Sequence, residues 1–559
     1  MEKHASSTSL PTDLKGTDYE ANVVPADVDH DANHGMLRDA NDATATIRGL
    51  KGRHLQLIGI GAAIGTGLFL GSARALIYGG PLGSTLAYTI YCAVIWGICL
   101  GTCEMASFLP IRGGFITWAG MYLDDAASTA IGWNYFYAST MYCCADIIAV
   151  GGLMDYWLPH VNVVVWITMS LVIISLLNVY HVKFFGESEF YLASLKVILI
   201  IMIIFMTFIV MLGGNPKHDR IGFRYWKDPG LVAEYYTTGN LGRFLGFWRV
   251  FKIAAFSIGG PEIVAMSAAE AEHPRKTIPR TTKGVVFRLA VFFVLGSICM
   301  GILVPYNDPE LIKAVNTGVG SDAAAFVVGM KRLGIKVMPH VFNAIVMTSA
   351  LSCANGLAFI ATRVLHALAS QGKAPRIFAK TTKHGIPLYA YGVVFLVMCL
   401  SYLQASNNAA TVFGWFINLS SAGELMNFCA LAVLILRFRA GLKKQGYNVK
   451  EFLPWSTSWT VPYTWVSLFW LTIITLTQGW TVFVKGGWNV QEFFTSYFGL
   501  MFVTVVFIFW KLKNKTKFVK LEDMDFQSRV AEFDKLEQYY VDHPIRSTTW
   551  WGRALDKIF

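Results

Sequence analysis

Apolar runs of about 20 residues, each able to cross a hydrocarbon core of about 30 Å, recur along almost the whole chain. Short polar loops rich in Gly, Pro, Lys and Arg separate them. The pattern predicts about twelve spanning helices, near 55–77, 82–108, 129–157, 162–180, 188–213, 244–270, 284–305, 338–363, 387–405, 411–436, 462–484 and 493–511. The fold class is therefore an all-α polytopic membrane protein. A polar amino-terminal tail (1–47) precedes a transmembrane domain (48–511), and a carboxy-terminal tail (512–559) follows it.

Two spans break the apolar pattern in the same way. The first, LQLIGIGAAIGTGLFLG at 55–71, gathers Gly59, Gly61, Gly65, Gly67 and Gly71 within a few helical turns. Glycine costs about 1 kcal/mol inside a helix relative to alanine. One reading is close helix packing through Gly61-x-x-x-Gly65 and Gly67-x-x-x-Gly71. The other is a broken helix, whose free N–H and C=O groups near the midplane hold a small polar ligand. The sixth span tips the balance, because Phe256-Ser257-Ile258-Gly259-Gly260-Pro261-Glu262 interrupts it with two glycines, a proline and a carboxylate. Proline removes a backbone donor and clashes with the preceding turn. Breaks in spans one and six are what a five-plus-five inverted repeat produces, one at the start of each half.

Composition agrees with a membrane domain: 54% of residues are hydrophobic and mean hydropathy is +0.46. The basic residues behind the net charge of +11 sit in loops, which makes orientation in the membrane a better reading than nucleic-acid binding. Clusters at Arg275, Lys276, Arg280 and Lys283, at Lys373, Arg376, Lys380 and Lys383, and at Arg437, Arg439, Lys443 and Lys444 place those loops and both termini in the cytoplasm. The nine cysteines fall inside spans and read as small apolar packing residues. Residues 1–47 lack the hydrophobic core of a signal peptide and have the composition of a disordered tail.

Ionisable residues at membrane depth are functional candidates. These are Glu104, Asp146, Lys196, Lys252, Glu262 and Glu424. Lys196 requires a carboxylate, backbone carbonyls or a lowered pKa, and is read either as a proton-coupling group or as a static bridge. Glu262 sits on the sixth-span break, where an orienting or proton-linked role is expected. Glu104 and Asp146 are read as interhelical clamps or proton carriers, and Lys252 as a carboxylate partner or an outward-snorkelling cation. Glu187, Glu189, Glu270 and Glu272 lie near span ends, where solvation is expected. HExxH, GxSxG and phosphate-loop sequences are missing, as is any metal-spaced His/Cys cluster. The chain is thus read as no enzyme, with no metal and no cofactor beyond a proton gradient.

At this level of detail the chain resembles a known family. Leu50-Lys51-Gly52-Arg53-His54-Leu55-Gln56 followed by IGIGAAIGTGLFLGS is similar to the opening signature of fungal amino acid permeases, within the amino acid–polyamine–organocation superfamily. CEMASFLP (103–110), GWNYFY (132–137), GFRYWKDPG (222–230), SAAEAEHPRKTIPR (267–280) and TRVLHALASQGKAPRIFAKTTKHGIP (362–387) continue the likeness across roughly 48–520. VPYNDPELI (304–312), MPHVFNAIVMTSALSCAN (338–355) and the terminal DKIF resemble the dicarboxylic amino acid permease branch.

The resemblance implies a leucine-transporter-like fold with broken helices 1 and 6, and proton-coupled uptake of an L-amino acid at the plasma membrane. It implies that Ala63, Gly65, Thr66 and Gly67 meet the substrate carboxylate. Gly59, Ile60, Gly61, Phe256, Ser257 and Gly259 would form the amine site and gate. Tyr142, Asp146, Lys252 and Asn355 would line the side-chain pocket, and Lys196, Glu262 and Glu104 would serve proton coupling. The family usually has Gly at Ala62, a small polar residue at Pro261, Ser at Gly356, Tyr at Phe359 and Glu at Asp146. These departures make the pocket less polar. Acidic and small polar amino acids are the first expectation for substrate, with neutral amino acids or a non-transporting sensor as alternatives. Expected partners are the substrate, the lipid bilayer and ubiquitin-ligase adaptors acting on tail lysines such as Lys3 and Lys15.

Overall fold

The apolar runs form helices, and glycine and proline decide where those helices stop. The computed structural model describes residues 65–528 except 181, 269–270, 272–273, 319, 321–323 and 383–384, together with 530, 533–534 and 538. The main helices are α1 (Ser72–Phe108), α2 (Gly114–Tyr122), α3 (Asp125–Met154), α4 (Val163–Tyr180), α5 (Val182–Met211), α6 (Gly239–Ser257), α7 (Pro261–Ser267) and α8 (Pro274–Leu303). They continue with α9 (Pro309–Thr317), α10 (Ala325–Arg332), α11 (Met338–Ser370), α12 (Leu388–Met398), α13 (Ala409–Lys444), α14 (Thr460–Thr477) and α15 (Val490–Asn514). Among the described residues there is no β-strand.

Nine helices among the described residues are long and apolar enough to cross a membrane, and they account for ten of the twelve expected spans. The first of them, Gly67–Phe108, holds two. Its backbone leaves helical geometry at Gly80 (φ 69°), just before Pro81, so 67–79 and 81–108 are separate helical segments. A side chain at Gly80 would lie 2.6 Å from the Ala233 nitrogen. The 231–233 strand of loop runs tight against this corner, with Leu82 N donating to Leu231 O (2.9 Å). The fourth span is the shorter apolar helix Val163–Val179, and the sixth is split into α6 and α7.

The helix α3 is the pillar of the bundle and is almost wholly buried. It packs against α11 and α13. The outer helices show the opposite pattern. On α5, Ile198, Phe205, Phe208 and Ile209 are exposed, and on α15 so are Val505, Ile508 and Phe509. An exposed belt of this size on a bundle is a lipid-facing surface.

The end of the bundle carrying the basic loops is fastened by ion pairs. Asp124 caps α3 by accepting from Ala126 N (3.0 Å). Burial works against its charge, but Lys511 of α15 bonds to its other oxygen and holds the carboxyl below its usual range. Lys373 pairs with Asp125 (3.0 Å) and donates to Ser128 (2.6 Å). Glu104, buried, accepts from Arg439 Nε (2.8 Å) and Nη2 (2.7 Å), Thr457 N (3.0 Å) and Thr460 Oγ1 (2.5 Å). Both its oxygens are occupied, so of the two roles read from the sequence the structure favours the clamp, between α1, α13 and the 457–460 turn, over the proton-coupling role that the resemblance implied. The expected tail boundary at 511 is also displaced. Residues 519–526 pack back on the bundle, where Gln445 donates to Leu521 O (3.0 Å) and Met524 O (2.8 Å) and Phe526 stacks on Tyr122. The 1–47 tail lies outside the described residues.

Replacing Glu104 by Ala leaves half-buried Arg439 without its carboxylate, and breaking a fully buried pair costs about 3–5 kcal/mol, an upper bound here. Detergent-solubilised Glu104→Ala is therefore expected to unfold at a clearly lower temperature than the wild type, with Glu104→Gln between them. Equal melting temperatures would contradict the clamp.

Candidate functional site

The two breaks meet in the middle of the bundle. On the first, Gly65 is in a bend and Thr66 precedes a π-helical turn, Gly67–Gly71, that leads into α1. No side chain caps this start, so its first N–H groups carry the positive end of the helix dipole. On the second, Ile258 is extended and Gly260 has φ 130°, a conformation side chains rarely adopt. These two residues, with Gly259 between them, separate α6 from α7.

Glycine is required where the breaks approach each other. A Cβ on Gly67 would lie 2.7 Å from Ser257 Cα, which is backbone and cannot swing aside. A Cβ on Gly65 would lie 2.9 Å from Cys353 Sγ of α11 and 3.5 Å from Asp146 Oδ1 of α3. The Thr66 hydroxyl donates to Asp146 Oδ1 (2.6 Å), both residues being buried. Spans one, three, six and eight thus converge on three consecutive residues.

Phe256 is buried and stacks on Tyr142 with ring centroids 5.1 Å apart. The Tyr142 hydroxyl donates to Ala255 O (3.3 Å), and the Ser257 hydroxyl to Ile253 O (2.8 Å). Asn355 Oδ1 accepts from Asn178 Nδ2 (2.7 Å). Among the described residues, Asn355 Nδ2 and Asp146 Oδ2 are buried polar atoms without a hydrogen-bond partner. Unsatisfied groups of this kind call for a ligand or water. A side chain at Gly356 would meet no atom within 4 Å, so the position borders open space. Glu262 accepts from Gly260 N through both oxygens (2.9 and 3.0 Å), holding the second break in shape. Its charge acts on Glu424 of α13, whose Oε1 has no partner among the described residues.

Of the residues expected at the site, the structure brings Gly65, Thr66, Gly67, Tyr142, Asp146, Phe256 and Ser257 together, with Gly259 and Glu262 on the adjoining break and Asn355 two residues beyond Cys353 on α11. Gly59, Ile60, Gly61 and Ala63 lie outside the described residues, as do Glu270, Glu272, Lys3 and Lys15. Two expectations are corrected. Lys252 is buried, but it donates to Ser496 Oγ of α15 (2.9 Å) and joins the Arg249–Glu492 pair. It fastens the added last span to α6 and is no part of the side-chain pocket. Glu189, expected in solvent at a span end, is 1% exposed. The helix α5 begins at Val182, well before the apolar run, so Glu189 lies two turns inside it. Its carboxylate is 4.0 Å from Lys196 Nζ and accepts from Ser352 Oγ of α11 (2.8 and 2.9 Å). The seven-residue spacing to Lys196, two helical turns, was the signal in the sequence.

A half-buried cation also stands near Phe256. Arg74 of α1 donates to Ala410 O (3.1 Å) and lies over Phe413, whose ring meets that of Phe256 at 6.2 Å. A cavity of about 260 Å³ opens elsewhere, between α3, α13 and α15. It is almost wholly apolar and shares no residue with the convergence point.

A bundle with two broken helices meeting at a glycine-lined polar centre is the architecture of a transporter. The sequence model of the amino acid permease family matches residues 54–523, and the chain belongs to that family. It is 36% identical over 520 residues to a proline-specific permease of Emericella nidulans, covering 92% of this chain and 94% of the relative. It is 37% identical to a proline-specific permease of Saccharomyces cerevisiae (91% and 83% covered). The dicarboxylic amino acid permease of the same yeast is 36% identical (89% and 83%). Among solved structures, the manganese transporter of Eremococcus coleocola superimposes with a TM-score of 0.51 at 13% identity, over 82% of this chain and 94% of that one. That likeness confirms the leucine-transporter-like fold.

The glycine contacts give a paired test. Gly67→Ala is expected to lower amino acid uptake at least tenfold at normal surface delivery. Gly71→Ala, whose Cβ would make only a 3.6 Å contact with Ile253, should transport normally. Uptake by Gly67→Ala equal to that of Gly71→Ala would remove the close approach from the site.

Proposed function

We propose that the chain imports L-amino acids across the plasma membrane by proton symport, with both termini in the cytoplasm. The observation that carries this reading is the packing of Gly65–Thr66–Gly67 against Asp146 and Ser257. It leaves the start of the Gly67–Gly71 turn as a cradle of N–H donors for a substrate carboxylate. In this reading carbonyls freed at the sixth-span break receive the amino group, and Phe256 with Tyr142 closes over the substrate. The buried Lys196 cluster holds the coupled proton. Ubiquitin-ligase adaptors acting on the tails remain part of the proposal.

For the substrate, neutral amino acids are favoured over acidic ones. A second carboxylate needs a cation or several donors, and Lys252 is committed to Ser496. The open space beside Gly356 carries no polar side chain of its own. The proline-specific relatives make proline the first compound to try. The dicarboxylic relative keeps glutamate and aspartate in the test, with Arg74 as the cation they would have to use.

The test is uptake of a labelled amino acid panel at pH 5 and pH 7 by a host lacking its own permeases. Saturable uptake of proline or other neutral amino acids, several-fold faster at pH 5, is expected. Glutamate or aspartate uptake alone would overturn the substrate assignment. No uptake with protein at the surface would favour a sensor. Gly356→Ser fits sterically and is expected to raise uptake of polar amino acids relative to proline. An unchanged ratio would separate Gly356 from the pocket.

A further inference from the structure

Lys196 and Glu189 share one face of α5, about 10 Å apart along the axis. Helical side chains lean toward the helix N-terminus, so the four-carbon stem of Lys196 reaches back toward Glu189, and their charged ends stand 4.0 Å apart. Ser352 Oγ lies 2.8 and 2.9 Å from the two oxygens of that carboxylate, which centres it. The next residue, Cys353, touches the first-span break, its thiol bonding to Asp146 and lying against Gly65. Lys196 also feels the charge of Asp146. One buried ammonium thus stands between two buried carboxylates, with Asp146 on the substrate side and Glu189 on the other.

The charge count is decisive. With all three groups ionised the cluster carries −1 in a region where an unpaired charge is very costly. It is neutral only when two protons are distributed over the three groups. We propose that Glu189 positions the Lys196 ammonium and accepts its proton, making it the exit step of the coupled proton. In this step an N–H bond of Lys196 breaks and an O–H bond forms on Glu189, leaving a neutral amine and a carboxylic acid. Glu189 then releases that proton to water on the side of the basic loops, and Asp146, protonated from the substrate side, returns one to the amine through intervening water and becomes a carboxylate. The 4.0 Å gap is closed by an approach of about an ångström or by one bridging water.

Titratable groups face the pair from three packed elements. From α3 the facing group is Asp146, and from α11 it is Cys353. On α8, Gly296 beside Ile200 sets a register that brings half-buried Arg288 abreast of the pair, with Cys299 higher up beside Thr207. The described side chains of α4 bring no titratable group. Among the described residues, the charge acting on Glu189 is that of Lys196.

The inference rests on the proton-symport reading, and the test separates the two. Uptake of the best substrate is measured from pH 4.5 to pH 8 for wild type, Glu189→Gln, Glu189→Asp and Ser352→Ala, with surface amounts matched. Glu189→Gln keeps a partner for Ser352 but loses the charge, and its profile is expected to be flat. Glu189→Asp should restore a slope. Ser352→Ala removes a bond that favours the ionised carboxylate, so its midpoint should rise by about one pH unit. A merely structural Glu189 would change the amount of protein and leave the profile in place. A sloping wild-type profile preserved in Glu189→Gln overturns this proposal alone. Should that variant fail to reach the surface, an unmoved Ser352→Ala midpoint overturns it. A flat wild-type profile overturns the proton-symport reading and this proposal with it.

Discussion

Backbone N–H and C=O groups inside a membrane must be satisfied by protein, water or ligand, and this constraint organises the molecule. Helices that break in mid-membrane free several such groups at once. Here Glu262 takes the freed N–H of Gly260, while the packing of Gly67 against Ser257 and the Thr66–Asp146 bond hold the breaks against each other and against α3. Other features follow from holding that centre. The helix α3 is buried along its length because it carries Asp146 and Tyr142 to the centre. The pairs at the basic end, Glu104–Arg439 and Asp124–Lys511, fix the pillars without entering the site.

Charge is distributed by the same logic. Lys252 and Arg249 tie α6 to α15 through Ser496 and Glu492, so the cation that looked available in the sequence, Lys252, is occupied by packing. Lys196 lies with Glu189 and Asp146 in a cluster where one proton more or less changes the net charge. A region that neutralises itself only by holding a proton is suited to coupling, whereas a pair with both partners saturated is suited to stability. Glu104, with four donors on two oxygens, is of the second kind.

Most of the fold was legible in the sequence because lipid imposes a strong rule: about 20 apolar residues per span, with glycine and proline marking exceptions. The break at 256–262 and the depth of Asp146, Lys196 and Glu262 followed directly, as did the glycine-rich entry at Gly65–Gly67. What was missed depended on register and reach. The apolar run of span five starts near 188, but its helix starts at Val182, which moved Glu189 from the rim to the interior. Lys252 was close in sequence to the gate, yet its direction around α6 decides its partner, and hydropathy says nothing of direction. Arg74 was overlooked because a lone arginine one turn beyond an apolar run looks like a span end. The turn at Gly80 folds that stretch back into the bundle.

The measurement that tests this account most directly is substrate-induced thermal stabilisation of the purified protein, comparing wild type with Thr66→Val. Valine keeps the shape of threonine and removes the hydroxyl that bonds Asp146 at the break. The account predicts that both proteins melt cooperatively and that only the wild type is stabilised by its amino acid. Equal stabilisation of both would mean that the substrate sits elsewhere and that the first-span break is not its site.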